Sequence, residues 1–155
     1  MVDLIFRIAF TVYSGMRNGD SMQERTFKAN LDSLNAANAF LKEMLEIAGS
    51  SVKDEINMSV AFEEMFVNVA NYAYPNGEGE VTVRIDVEGN KVSVTLIDSG
   101  MPYNPLAKED PDVTLGADER PIGGLGIYMV KKMTDEVYYE HTDGKNIFTF
   151  VKAVG

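Results

Sequence analysis

The chain has 155 residues, enough for one domain with its own hydrophobic core. Its 45% hydrophobic and 25% charged residues exclude a disordered protein, and its net charge of −10 argues against nucleic-acid binding, which needs a concentrated basic patch. No cysteine is present and His141 is the only histidine, which excludes disulfides, thiolate chemistry and any mechanism that needs two histidines.

The first 21 residues differ from the rest of the chain. Residues 4–13 are apolar except for Arg7, and a polar run follows them. This apolar stretch is shorter than the roughly 20 residues that span a bilayer, and the arginine inside it is untypical of a secretory signal. We expect residues 1–21 to be a poorly ordered or loosely docked extension, arising from an upstream start codon, with an extra edge strand as the alternative.

Two helices follow a first short strand. Residues 24–29 are predicted to form the strand, and apolar residues at three-and-four spacing predict an amphipathic helix over residues 31–48. Asn30 or Asp32 can cap this helix. Residues 51–74 are predicted to form a second, longer helix that ends at a Pro-Asn-Gly sequence.

The rest of the chain alternates between strands and one further helix. Residues 81–87 and 91–97 alternate apolar and polar side chains around a Glu-Gly-Asn turn, which predicts a hairpin. A second hairpin is predicted from residues 137–142 and 147–151, on either side of an Asp-Gly turn.

A third helix is predicted over residues 125–134, after a long loop rich in turn-forming residues. This order of elements predicts an α+β fold, a two-layer sandwich in which a mostly antiparallel, mixed sheet is covered on one face by about three helices. Because there are no repeats or low-complexity tracts, residues 22–155 are predicted to form a single domain.

The second helix carries the first candidate site. Glu64, Asn68 and Asn71 are spaced by four and three residues, so they share one face of an otherwise largely apolar helix. Such a polar stripe either faces water or forms part of a hard-cation site, because carboxylate and amide oxygens can hold Mg²⁺ beside substrate phosphates.

A second candidate site follows the predicted strand 91–97. Asp98 stands at the strand end, where its carboxylate can accept a hydrogen bond from an amino group such as the exocyclic amine of adenine. Gly100 would allow a ligand to approach closely. The alternative is a tight turn, because Asp, Gly, Pro and Asn are all turn-forming residues.

A third candidate site lies before the third helix. Gly123, Gly124 and Gly126 fall within four residues, and a helix start leaves backbone N–H groups free to bind an anion such as phosphate. The segment is neither a Walker loop nor a dinucleotide fingerprint. A glycine-rich hinge and cap is the alternative.

Together, in this order, the three segments resemble the motifs of the Bergerat-type ATP-binding domain, which DNA gyrase and sensor histidine kinases share (the GHKL superfamily). Within it the sequence is most similar to the free-standing anti-sigma-factor serine/threonine kinases. The resemblance covers about residues 22–151. It rests on Glu64 and Asn68 four residues apart, on Asp98-x-Gly100, and on Gly124-x-Gly126.

The resemblance implies a site for ATP and Mg²⁺. By it, Asn68 would bind Mg²⁺ and Glu64 would act as the general base on the acceptor hydroxyl. Asp98 would accept a hydrogen bond from the adenine amine, and Gly100 would line the base pocket.

The same resemblance assigns the phosphate side of the site. Gly124 and Gly126 would shape the phosphate-binding turn, and Arg120 is the nearest candidate donor to the γ-phosphate; the alternative for this arginine is a solvated charge. Three positions depart from the family pattern: Asn104 stands where many relatives have Asp, Tyr103 where Phe is usual, and Tyr72 where His is common.

The function implied is a Mg-ATP-dependent serine/threonine protein kinase that acts as an anti-sigma factor. Its partners would be a small anti-anti-sigma protein of the STAS type, which it phosphorylates, and a sigma factor. The chain would be cytoplasmic, would bind neither a membrane nor nucleic acid directly, and could form a homodimer. The alternative is a non-catalytic module that binds partners in an ATP- or ADP-dependent way. A sensor histidine kinase fragment is a weaker alternative, because His141 falls in a predicted strand and not on a dimerising helix.

Overall fold

The structure, a computed structural model, describes residues 21–107 and 125–155. Five strands are present in these residues: β1 (Ser21–Lys28), β2 (Glu80–Glu88), β3 (Lys91–Asp98), β4 (Glu136–Thr142) and β5 (Lys145–Ala153). The helices are α1 (Leu34–Ile47), α2 (Val52–Tyr72) and α3 (Leu125–Met133), with short 3₁₀ turns at Leu31–Ser33 and Pro105–Ala107. Of the predicted N-terminal extension, only Ser21 lies within the described residues, and it begins β1.

The strands form one sheet in the order β1-β2-β3-β5-β4. Every pairing within the described ranges is antiparallel. The α+β sandwich is therefore confirmed, although the described strands contain no parallel pair that would make the sheet mixed. The position of β3 in the middle matters for function, because its last residue, Asp98, pairs with Asn146 of β5.

Alternation places one face of the central hairpin under the helices. In β2, Val81, Val83, Ile85 and Val87 are all buried, and the intervening residues are partly exposed. The opposite face carries a pair of hydroxyls at the centre of the sheet: those of Thr95 and Thr149 lie 2.9 Å apart on it. This one-sided burial is what an antiparallel sheet with a single helical layer requires.

The helices begin where side-chain caps satisfy their first N–H groups. Ser51 caps α2 by accepting a hydrogen bond from the backbone N–H of Asp54 at 3.2 Å. The predicted start of α1 at residue 31 was too early. Asn30 Oδ1 accepts from the backbone N–H of Ser33 at 3.0 Å. Asn30 therefore caps the 3₁₀ turn, and α1 itself starts only at Leu34.

Aromatic rings join the two layers. The rings of Phe62 and Phe66 on α2 are 5.7 Å apart, and Phe66 meets Phe27 of β1 edge-on at 6.4 Å. Phe27 in turn lies 6.5 Å from Phe40 of α1. These contacts, together with the buried aliphatic residues of β2 and β3, hold α2 along the sheet. The C-terminal half of α2 is thereby fixed beside the end of β3.

Candidate nucleotide-binding site

A cleft opens between the C-terminal half of α2 and the ends of β3 and β5. Its polar lining consists of Asn68 from α2, Asp98 from β3 and Asn146 from β5. The rest of the lining is mostly apolar: Met65, Val69, Tyr72, Ala73, Met101, Tyr103, Pro105, Tyr139 and Phe148. A mostly apolar cleft with a few convergent polar groups is typical of a small-molecule site.

Asp98 is the acidic group of this cleft, and it is only 6% exposed. Its Oδ1 accepts hydrogen bonds from the backbone N–H of Gly100 and from Nδ2 of Asn146, both at 2.9 Å. Both bonds therefore use the same oxygen. Within the described residues no hydrogen bond is made to Oδ2, which remains an acceptor for a ligand with an N–H group.

The loop after Asp98 is attached to the end of α2. The backbone N–H of Met101 donates to the carbonyl oxygen of Ala73 at 2.8 Å. A Cβ atom added to Gly100 would lie 2.2 Å from that same carbonyl oxygen. Gly100 is not among the lining residues of the cleft, so the structure gives its missing side chain a packing reason: the loop could not otherwise approach α2 so closely.

Tyr74 fixes the same loop from the other side. Its hydroxyl donates to the carbonyl of Glu80 at 2.6 Å and accepts from the backbone N–H of Ser99 at 2.9 Å. Burial raises the pKa of Tyr74, so the phenol remains protonated at neutral pH and can keep donating. The ring also covers Gly79, where an added Cβ would lie 2.2 Å from a ring carbon.

The polar stripe of α2 separates into three environments. Asn68 is half-buried and lines the cleft, whereas Asn71 is exposed and does not. Glu64 is exposed one turn before Asn68, and its Oε2 would lie 2.8 Å from a Cβ atom added to Gly126 of α3. The first turn of α3 is therefore directly beside Glu64.

These positions bring together most of the residues singled out from the sequence. Asn68 and Asp98 share the cleft, and Glu64 and Gly126 are neighbours at the contact between α2 and α3. Gly124 and Arg120 lie outside the described residues.

The oxygen donors of the cleft are suited to a metal ion that takes most of its ligands from substrate phosphates and water. Residues 21–107 and 125–155 contain no group of three His, Cys, Asp or Glu side chains that could hold a metal ion. Asn68 lines the cleft, and its amide oxygen is a donor that such an ion could bind. Mg²⁺ commonly binds through one or two protein oxygens, with the substrate phosphates and water completing its six ligands. A single amide ligand is compatible with that arrangement.

Three residues of the site could not be recognised in the sequence. Asn146 bonds to Asp98 across the sheet, Tyr139 donates to Asn146, and Tyr74 joins two loops. Asn146 and Tyr139 belong to the second hairpin. Nothing in the sequence near this hairpin indicates that its strand β5 pairs with β3. The Asp-Gly turn before Asn146 marked the hairpin, but the strand was predicted to start only at residue 147.

Comparison with known proteins assigns the family. Residues 27–152 match the model of the histidine kinase-like ATPase domain. The chain belongs to this family. The resemblance identified from the three motifs is thereby confirmed, and the family's description implies an ATP-binding domain.

Individual members of the family are more distant. The chain is 24% identical over 103 residues to serine-protein kinases RsbW from Bacillus mycoides, Bacillus anthracis and Bacillus thuringiensis. The match covers 64% of this chain and 64% of each relative, so the chain spans somewhat less than two thirds of their length.

The fold is similar to a solved structure. The RsbU and RsbW domains of Rv1364c from Mycobacterium tuberculosis superpose with a TM-score of 0.62 at 20% identity, over 86% of this chain and 32% of that one. The likeness supports the histidine kinase-like ATPase fold. None of the helices in the described part of this family member is long and apolar enough to cross a membrane.

Proposed function

We propose that this chain is a Mg-ATP-dependent serine/threonine protein kinase of the anti-sigma-factor type. The observation that carries the proposal is that Asp98 and Asn68 line the same cleft, in a chain whose relatives include serine-protein kinases. Asp98 offers a buried acceptor oxygen to the amino group of a base. Asn68 offers an amide oxygen to a cation on the phosphates.

The phosphates would extend from Asn68 toward the start of α3. The N-terminus of a helix favours anions, and Gly126 lies in the first turn of α3. Gly124 and Arg120, which precede α3 in the sequence, are proposed to complete the phosphate-binding turn. Mg²⁺ would neutralise phosphate charge when bound, which is its usual part in phosphoryl transfer.

Glu64 is proposed as the general base. It is exposed at the contact between α2 and α3, one turn from Asn68, where a protein substrate can reach it. In the transfer, the hydroxyl proton of an acceptor Ser or Thr moves to the Glu64 carboxylate as the hydroxyl oxygen bonds to the γ-phosphorus. The bond between that phosphorus and the β–γ bridging oxygen breaks, and ADP leaves.

The protein substrate is proposed to be a small anti-anti-sigma protein of the STAS type, with a sigma factor as a second partner. Both follow from the resemblance to the anti-sigma-factor kinases, and the match to serine-protein kinases supports a protein acceptor. The alternative is a nucleotide-dependent binding module that transfers no phosphate. The exposure of Glu64 outside the cleft lining favours this alternative, because a base must lie close to the transferred proton.

Capture of partners separates the two functions. The tagged chain is incubated with a lysate of its source organism with and without Mg-ATP, and the bound proteins are analysed for phosphoserine and phosphothreonine by mass spectrometry. A kinase yields a partner phosphorylated only when Mg-ATP and the wild-type chain are both present. Nucleotide-dependent capture of a partner that stays unphosphorylated in purified mixtures supports the binding module instead.

A further inference from the structure

Asn146 is the most connected buried polar side chain of the cleft. It is 6% exposed, is the second residue of β5, and pairs with Asp98 of β3 in the sheet. Its Nδ2 donates to Oδ1 of Asp98 at 2.9 Å and to the carbonyl of Met101 at 2.8 Å. Its Oδ1 accepts from the backbone N–H of Tyr103 at 3.2 Å and from the hydroxyl of Tyr139.

The chemistry of these partners determines how the amide is oriented. The carboxylate of Asp98 and the carbonyl of Met101 can only accept, so they must face the NH₂ group. The backbone N–H of Tyr103 can only donate, so it must face the amide oxygen. The reverse orientation would place an oxygen against two oxygens and an NH₂ against an N–H, which costs several hydrogen bonds in a buried place.

The four bonds use the full capacity of the amide. Both N–H groups donate and both oxygen lone pairs accept, so Asn146 has no group left for a bound molecule. It can therefore act on a ligand only through the groups that it holds, which are the Asp98 carboxylate and the loop at Met101 and Tyr103. By holding Oδ1, together with the N–H of Gly100, it fixes the carboxylate with Oδ2 as the remaining acceptor.

We propose that Asn146 is a positioning residue that gives the cleft its selectivity for a purine with an exocyclic amino group, acting through Asp98. The inference rests on the proposed nucleotide site. A carboxylate held at one oxygen presents the other in one direction, where an amino group gains a charge-assisted hydrogen bond and a 6-oxo group meets repulsion. Without Asn146 the carboxylate can rotate, and the amino group loses its advantage.

The test compares two nucleotides that differ only at the amino group. Calorimetric titration gives the Kd of ATP and of purine riboside triphosphate, which has hydrogen in place of the amine, for the wild type and Asn146→Ala. The wild type should bind ATP about tenfold or more tightly than the analogue, the worth of one charge-assisted bond. In Asn146→Ala this ratio should fall to within about threefold of one, mainly through weaker ATP binding.

A purely structural role would weaken both nucleotides equally and leave their ratio unchanged, and that result overturns the inference. Thr149→Val is the matched control: it removes a polar side chain of the same strand on the opposite face of the sheet, and should keep the wild-type ratio. If Asn146→Ala does not fold, Tyr139→Phe decides the matter, because it removes one bond to Asn146 and keeps the ring. A ratio lowered roughly two- to fivefold supports the inference, and an unchanged ratio contradicts it.

The same titrations separate this inference from the proposed function. A wild-type chain that binds neither nucleotide refutes the nucleotide site itself. A wild type that prefers ATP, together with an Asn146→Ala variant that keeps the full preference, refutes only the role of Asn146.

Discussion

At the scale of single residues, two asparagines on α2 differ in what they can reach. Asn68 lines the cleft, whereas Asn71 lies almost one turn further along the helix and faces solvent. Because both are amides on the same helix, one can serve as the control for the other. The comparison therefore isolates the position of the amide oxygen from any general effect on α2.

Asn68→Ala should remove the Mg²⁺ dependence of ATP binding, because the amide is the protein ligand proposed for the ion. Titration of ATP with Mg²⁺ and with EDTA should give nearly the same Kd for this variant. Asn71→Ala should retain the wild-type difference between the two conditions. A full Mg²⁺ dependence in Asn68→Ala would remove Asn68 from the metal site.

Glu64 has an equally close control in Glu63, the preceding residue, which is also exposed on α2. Glu64→Gln should bind ATP with an unchanged Kd, within about twofold, since a carboxamide has the same shape. Phosphate transfer to the captured partner should fall by about 10²–10⁴-fold, the usual contribution of a general base. Transfer is followed with radiolabelled ATP, and Glu63→Gln should transfer normally. Undiminished transfer by Glu64→Gln would exclude it as the base.

At the scale of elements, the site depends on how the loop after β3 is attached to α2. The bond from Met101 to Ala73 and the bridge made by Tyr74 attach the loop after Asp98 to the end of α2, the helix that carries Asn68. Two elements far apart in the sequence are thus held as one unit. Disturbance of this contact should affect folding stability and nucleotide binding together.

Gly100→Ala tests this contact, since the new Cβ would lie 2.2 Å from the backbone oxygen of Ala73, which cannot move aside cheaply. We expect a loss of about 1–3 kcal/mol in the free energy of unfolding, measured with urea, and weaker ATP binding. Gly77→Ala is the control: no atom lies within 4 Å of its added Cβ, and its unfolding free energy should change by less than about 0.5 kcal/mol. Equal stability of both variants would show that the close approach is not required.

A second contact between elements is sensitive to pH. Asp54, in the first turn of α2, accepts from the backbone N–H of Gly155 at 3.0 Å and lies 3.7 Å from the ammonium of Lys152. The hydrogen bond from Gly155 is the largest cause that lowers the pKa of Asp54, and Ser51 and Lys152 lower it further, while burial opposes them. Asp54 thereby joins Lys152 of β5 and Gly155 to the first turn of α2.

Because the folded-state pKa of Asp54 is lowered, the contact stabilises the protein above the unfolded pKa of about 3.9, and this stability is lost as pH falls through the folded-state value. Asp54→Asn should therefore unfold at lower urea than the wild type at pH 7, and the gap should narrow as pH falls below about 3.9. Asp32→Asn, at an exposed position, is the control variant. A gap of constant size across this range would contradict the ionic origin of the contact.

At the scale of the whole molecule, local patterns could predict the elements better than their connections. Periodicity predicted α2 and the β2–β3 hairpin, because both bury one face of a regular repeat. β1 begins at Ser21, three residues before the predicted start at residue 24, because its start is set by pairing with β2 and its sequence alternates weakly. Likewise β5 begins earlier than predicted, because Lys145 and Asn146 are polar residues held in the sheet by pairing and by the cleft.

The same limit applies to the site. Asp98 and Asn68 stand in motifs that can be read from their neighbours in the sequence. The bond between Asn146 and Asp98 joins residues 48 positions apart, and nothing near either residue indicates the other. A contact of this kind depends on the order of strands in the sheet, which alternating side chains do not specify.

The net charge of −10 places a requirement on the proposed phosphate site. An acidic chain can hold a polyphosphate only where a metal ion and backbone N–H groups offset its field. In the proposed site, a Mg²⁺ ion held by Asn68 and the backbone N–H groups at the start of α3 would offset the negative charge. At the end proposed for the nucleobase, the buried carboxylate of Asp98 would accept a hydrogen bond from an amino group.

The nucleotide site is the central claim, and titration of Mg-ATP into the wild type and Asp98→Asn tests it most directly. Asp135→Asn is the control, because its carboxylate also accepts a backbone N–H, from Ala153, but lies outside the cleft. The wild type and the control should bind one ATP per chain with the same Kd, and Asp98→Asn should bind about tenfold or more weakly, as a donor replaces the free acceptor. Equal affinity of Asp98→Asn, or no binding by the wild type, would contradict the account.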